Sequence, residues 1–313
     1  MPVRPPSGRP TLPSGARWRA LAAATAAAAL LAGCSGGPPE PEVRHILALG
    51  DSLAVGVQPD ENGTPEETPR GYADVIHREL YDTDSTLRLV KLGCGGEDTG
   101  TMLDGGRCDY VEEHGADSQI AAAEAFLAEN AGAVELVVLD IGANNLVPCA
   151  VRDGELVAEL DSECVDEGLA VAADDVEEIA GRLREAAGPD VRIVGMTYYN
   201  PFLAGWLLGG EERELAEESA ELLPELNEAL VAAYQRHGVE VADVAAAFDS
   251  EDFEPAPAAD AEGVAAAAEG TPRNVARICS WTWMCAAAPQ GPDIHANDEG
   301  YRRIADVFLE VIG

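Results

Sequence analysis

Ile46-Leu47-Ala48-Leu49-Gly50-Asp51-Ser52-Leu53 decides how this chain is read. Four apolar residues run without a polar break into a glycine, the pattern of a strand buried on both faces that ends in a tight turn. Glycine permits a turn that a side chain would obstruct, and Ser52 then projects its hydroxyl from the carboxyl end of the strand. Open parallel sheets bind their ligands at that end. Taken alone, Gly50-Asp51-Ser52-Leu53 fits a helix cap equally well, so the rest of the chain must decide.

Apolar runs of the same kind recur at 87–92, 136–141, 191–196 and 239–241. Between and after them lie helix candidates at 72–80, 118–129, 170–187, 211–237 and 298–311. Strand and helix alternate, which predicts a mostly parallel sheet covered on both faces. In the last helix Ile304, Val307, Phe308 and Val311 repeat at helical spacing, with Asp298 as its expected cap. Pro224 either kinks the 211–237 helix or separates two helices. The Ala-, Pro- and acid-rich stretch 249–272 reads as a long surface loop, with a mobile lid as the alternative. There is no internal repeat.

The chain of 313 residues, 47% hydrophobic and 25% charged, suits one large globular domain. Acidic residues number 57 against 20 basic ones, for a formal net charge of −37, and Lys91 is the sole lysine. Such a chain offers no basic face to a phosphate backbone, which disfavours nucleic acid as a partner. The acidity reads either as a solvated surface or as a field that steers cationic substrates.

Arg4, Arg9, Arg17 and Arg19 precede an apolar run at 20–31 that is too short to span a bilayer. The run ends in Leu31-Ala32-Gly33-Cys34, which resembles a bacterial lipobox. Residues 1–34 are therefore expected to be a lipoprotein signal peptide, with Cys34 lipidated as the membrane anchor. Residues 35–43, rich in Gly and Pro, read as a flexible tether to a domain at 44–313. The expected location is extracytoplasmic, on the membrane, as a monomer.

Cys94, Cys108, Cys149, Cys164, Cys279 and Cys285 remain once Cys34 is set aside, an even number in a chain bound for an oxidising compartment. They fall into sequence-local couples, 94 with 108, 149 with 164, and 279 with 285, each inside an expected loop. No CxxC or His-rich cluster accompanies them, so neither a metal site nor a cofactor is expected.

A serine hydroxyl is a poor nucleophile until a neighbouring base takes its proton. Of the histidines at 45, 77, 114, 237 and 295, only His295 stands in a motif, Pro292-Asp293-Ile294-His295-Ala296-Asn297-Asp298-Glu299-Gly300-Tyr301, ahead of a helix. Asp293 is the candidate to hold its ring. Donors for an oxyanion are expected after strands: Gly96 in Cys94-Gly95-Gly96-Glu97-Asp98-Thr99, and Asn144 in Gly142-Ala143-Asn144-Asn145.

Four blocks, Gly-Asp-Ser-Leu, Gly-Glu-Asp-Thr, Gly-Ala-Asn-Asn and Asp-Ile-His-Ala-Asn-Asp-Glu-Gly-Tyr, occur in order, and together the chain resembles the SGNH, or GDSL, hydrolase family. The resemblance implies a three-layer α/β/α, flavodoxin-like domain with a five-stranded sheet. It implies a serine-dependent carboxylic ester hydrolase, of esterase or lipase type, with a small-molecule, lipid or glycan ester as substrate. It places the nucleophile on Ser52, the base on His295 and oxyanion donors on Ser52, Gly96 and Asn144. Cys279-Ser280-Trp281-Thr282-Trp283-Met284-Cys285 looks like the loop before the histidine block in actinobacterial members, and a disulfide-bound wall of the acyl pocket is expected there. The family's usual acid lies three residues before the histidine, where this chain has Pro292, and the usual Asp of the third block is Asn145. If Asp293 does not reach the ring, a main-chain carbonyl orients it. The alternatives are a deacetylase acting on O-acetyl groups of cell-envelope glycans, and a non-catalytic envelope binding protein. The G-x-S-x-G elbow of α/β-hydrolases is absent around Ser52.

Overall fold

The computed structural model describes residues 42–152, 155–157, 160–257 and 270–313. The expectations for the signal peptide, Cys34 and most of the tether lie outside them, as does the middle of 249–272. Five parallel strands form the central sheet: β1 (Arg44–Gly50), β2 (Leu87–Lys91), β3 (Val134–Asp140), β4 (Arg192–Met196) and β5 (Glu240–Ala242), in spatial order 2-1-3-4-5. In β1 Ile46, Leu47, Ala48 and Leu49 are all fully buried, as are Val137, Val138 and Leu139 of β3 beside them. A strand covered on both faces has no exposed edge on which polar residues could alternate.

Helices α1 (Tyr72–Tyr81), α2 (Gln119–Glu129), α3 (Ser162–Ala187), α4 (Gly210–Arg236) and α5 (Asp298–Ile312) complete the layers. On one face α1 packs on α5, where Tyr72 stacks on Phe308 with ring centroids 4.9 Å apart. On the other face α3 lies between α2 and α4.

Several elements differ from the sequence reading. Helix α3 begins at Ser162, because Asp161 caps it by accepting from the N–H groups of Glu163 and Cys164. Gly168 interrupts the apolar pattern there, yet it serves packing: a Cβ on it would lie 2.7 Å from the carbonyl oxygen of Asn145. Helix α4 is one helix with Pro224 inside it. The cap of α5 is Asn297 rather than Asp298, since its side chain accepts from the N–H groups of Glu299 and Gly300. Asp298 instead accepts from Gln58 Nε2 and Arg70 Nε.

The disulfides join Cys94 to Cys108, Cys149 to Cys164 and Cys279 to Cys285. They are not all in loops: Cys149 lies in a short helix at Val147–Ala150, Cys164 in the first turn of α3, and Cys279 in a helix at Arg273–Trp281. The ends of 249–272 are tied together by a bridge between Pro255 and Pro272 and an ion pair between Asp252 and Arg273.

Candidate active site

Everything at the site is referred to the end of β1. Gly50 has φ +130°, and a Cβ there would lie 1.7 Å from the carbonyl oxygen of Asp140, so only glycine lets β1 and β3 close together at this level. Buried Gln119, the first residue of α2, clasps the same glycine: its Oε1 accepts from Gly50 N at 2.6 Å and its Nε2 donates to Gly50 O at 2.9 Å. Asp51 then folds back, with Oδ1 accepting from Leu53 N at 2.9 Å. That closes the turn around Ser52, which stays partly exposed.

Beneath this turn two carboxyls are buried together. Asp51 N–H donates to Asp140 Oδ1 at 3.0 Å, Tyr72 O–H donates to Asp140 Oδ2 at 2.5 Å, and Tyr198 O–H donates to Asp51 Oδ2 at 2.7 Å. The backbone N–H of Asp51 thus ties the two buried carboxyl groups to one turn. Burial raises Asp51 above the usual carboxylate range. Burial, and then the charge of Asp51, push Asp140 well above it.

The second and third blocks lock together. Asn144 Nδ2 donates to Glu97 O at 2.8 Å. Asn145, in place of the family's Asp, accepts from Thr99 N with its Oδ1 and donates to Thr99 Oγ1 with its Nδ2. Thr99 in turn donates to Asp175 of α3. An amide supplies both the acceptor and the donor that Thr99 needs, so the Asp-to-Asn departure leaves this junction satisfied.

In the fourth block Asp293 Oδ1 lies 2.7 Å from His295 Nδ1 and also accepts from His295 N at 2.9 Å. The acid two residues before the histidine therefore reaches the ring. Burial pushes its carboxyl up, but the hydrogen bonds and charge of His295 outweigh this and hold it below the ordinary range. The 279–285 loop braces this turn: Trp283 N donates to His295 O at 3.0 Å, and Asn297 Nδ2 donates to Ser280 O at 2.9 Å.

Ser52, Asn144 and His295 open onto one cavity. Its walls are largely apolar: Leu146, Val147, Cys149 and Ala150 from the segment after β3, Leu160 and Val165 from around the start of α3, and Phe202, Leu222, Leu223 and Leu226. The expected wall from 279–285 is not among them; the disulfide in the wall is Cys149–Cys164, because 279–285 packs behind the histidine turn. Sequence reasoning missed the α4 wall, although Leu222, Leu223 and Leu226 already carry helical apolar spacing. Among the described residues no cluster of His, Cys, Asp and Glu is suited to a metal ion.

The model of the GDSL-like lipase/acylhydrolase family matches residues 48–303. Phospholipase A1 from Streptomyces albidoflavus NA297 is similar in structure at 17% identity and TM-score 0.51, over 86% of this chain and 99% of that one. The lipase Lip_vut3 from a goat rumen metagenome is similar at 15% identity and TM-score 0.50, over 86% of this chain and 97% of the other. These likenesses carry the fold. No curated protein matches the chain.

Proposed function

The chain belongs to the GDSL-like lipase/acylhydrolase family and is a serine hydrolase of ester bonds, and on that premise we propose an acyl-enzyme mechanism at Ser52. The observation that carries it is convergence: Ser52 and His295 border one cavity, and Asp293 sits on the far nitrogen of the His295 ring. Asp293 fixes Nδ1 as the protonated nitrogen, which leaves Nε2 free to take the Ser52 proton. Ser52 Oγ attacks the ester carbonyl, and the oxyanion rests on Ser52 N–H, Gly96 N–H and Asn144 Nδ2. His295 returns the proton to the leaving alcohol, and water repeats the cycle to release the acid.

The apolar walls support an acyl chain well beyond acetyl as the group bound, because Leu146, Val147, Leu223 and Leu226 have nothing to gain from a methyl alone. A working monomer is part of the same proposal. Three disulfides accord with an extracytoplasmic protein. Lipidation of Cys34, with the residues before it removed and 35–43 as tether, belongs to the same proposal.

Hydrolysis of p-nitrophenyl esters from acetyl to palmitoyl, by the enzyme and its Ser52→Ala variant, tests the scheme. Serine-dependent turnover that peaks beyond acetyl is expected, together with fluorophosphonate labelling at Ser52. Labelling of the Ser52→Ala variant, or an acetyl optimum, would overturn it.

A further inference from the structure

Arg107 stands over Gly96. Its Nε donates to Gly95 O at 3.1 Å, and a Cβ on Gly96 would meet Arg107 Nη2 at 2.2 Å and Cζ at 2.8 Å. The guanidinium therefore lies against the bare Cα of that glycine, which has φ +77°. Any side chain at 96 would displace it. Cys108, the next residue, is tied back to Cys94, so both ends of the segment carrying Arg107 and Gly96 are held by one covalent link.

This arginine is exposed, and its Nε bond to Gly95 O is to main chain rather than to a carboxylate. Arg44, Arg70, Arg182, Arg192 and Arg236 are paired with carboxylates, whereas Arg88 and Arg184 bond main-chain carbonyls, as Arg107 does through Nε alone. Nor does the cavity that takes the acyl chain include Arg107, Gly96 or any Lys or Arg in its lining. Arg107 thus adjoins Gly96, a proposed oxyanion donor, without lining the apolar cavity, which leaves the alcohol part of the ester as the part for it to meet.

We propose that Arg107 is a specificity-determining residue that binds an anionic group, carboxylate or phosphate, on the alcohol part of the ester. Nε is committed to Gly95 O, which fixes the plane of the guanidinium and leaves Nη1 and Nη2 to donate side by side to a two-oxygen anion. The inference rests on the proposed roles of Ser52 and Gly96.

The test compares two matched pairs: p-nitrophenyl butyrate with its ring-carboxylated analogue, and a monoacylglycerol with its 3-phosphate. For each pair the ratio of kcat/KM, anionic over neutral, is measured in the enzyme and in Arg107→Gln and Arg107→Lys. The ratio is expected to fall about tenfold or more in Arg107→Gln, the loss that follows removal of a charge-assisted hydrogen bond. Arg107→Lys, which keeps the charge but not the fork, should recover part of it. The pair that shows the larger fall identifies carboxylate or phosphate as the anion. An unchanged ratio in both pairs, or equal losses on neutral and anionic members, would overturn the proposal and leave Arg107 as packing for Gly96. Absence of Ser52-dependent turnover on every ester would instead defeat the mechanism on which it rests.

Discussion

Replacing Asp140 by Asn should flatten the pH dependence of stability. Asp140 is fully buried, its Oδ1 accepts from Asp51 N, and burial and the Asp51 charge hold its carboxyl well above the usual range. In the unfolded chain the same carboxyl titrates near about 3.9. Between that pH and the raised folded value, the native protein binds one more proton here than the unfolded chain does. Stability contributed by this site is then present at low pH and is lost as pH rises, by about 1.4 kcal/mol for each pH unit inside the window. Asn carries no proton to lose, so the variant lacks this slope. It bears instead a pH-independent cost of about 1 kcal/mol, because the Tyr72 hydroxyl, which donates to Asp140 Oδ2, would face an amide N–H. Tyr198 and His295, the other titratable groups acting on Asp51, are common to both proteins. Urea unfolding at half-unit pH steps above pH 4 gives both curves. A variant curve less steep by about 1.4 kcal/mol per unit at the lower end of the window is expected. Parallel curves would refute the upward shift of Asp140.

Asn144→Ala should lower kcat by about 10²–10³ with the fold intact, the usual loss for one oxyanion donor; near-normal turnover would remove Asn144 from the mechanism. Asp293→Asn should lower kcat by roughly 10⁴, because the amide favours the wrong tautomer of His295, whereas a loss of a few fold would hand the orienting role to main chain. Replacing Cys149 and Cys164 together by Ser opens a loop of sequence separation 15 and should cost about 3 kcal/mol in urea unfolding. The same double variant should also shift acyl-chain preference, since Cys149 and Val165 line the cavity; an unchanged chain-length profile would show that the disulfide does not hold the wall.

The amino-acid sequence by itself determined the alternation of buried strands and helices, and with it the layered parallel sheet. A strand covered on both faces must be apolar along its whole length, and that requirement is written locally, as in 46–49 and 136–141. Ser52 after β1, Asn144 after β3 and the Asp293–His295 turn were legible for the same reason: each depends on a few consecutive residues. Helix starts were less so: the helix expected at 170–187 begins at Ser162, capped by Asp161, with Gly168 closely approached by Asn145. What only the tertiary structure decided is the surroundings of those residues. Gln119 clasps Gly50 across 69 positions, and Asp140 meets Asp51 across 89. The cavity gathers Leu146, Val165, Phe202 and Leu226 from four separate segments. Arg107 carries no motif at all, and its place over Gly96 follows from how the 94–108 loop closes. Contacts of this kind depend on packing between distant segments, and no local periodicity encodes which apolar face will meet which.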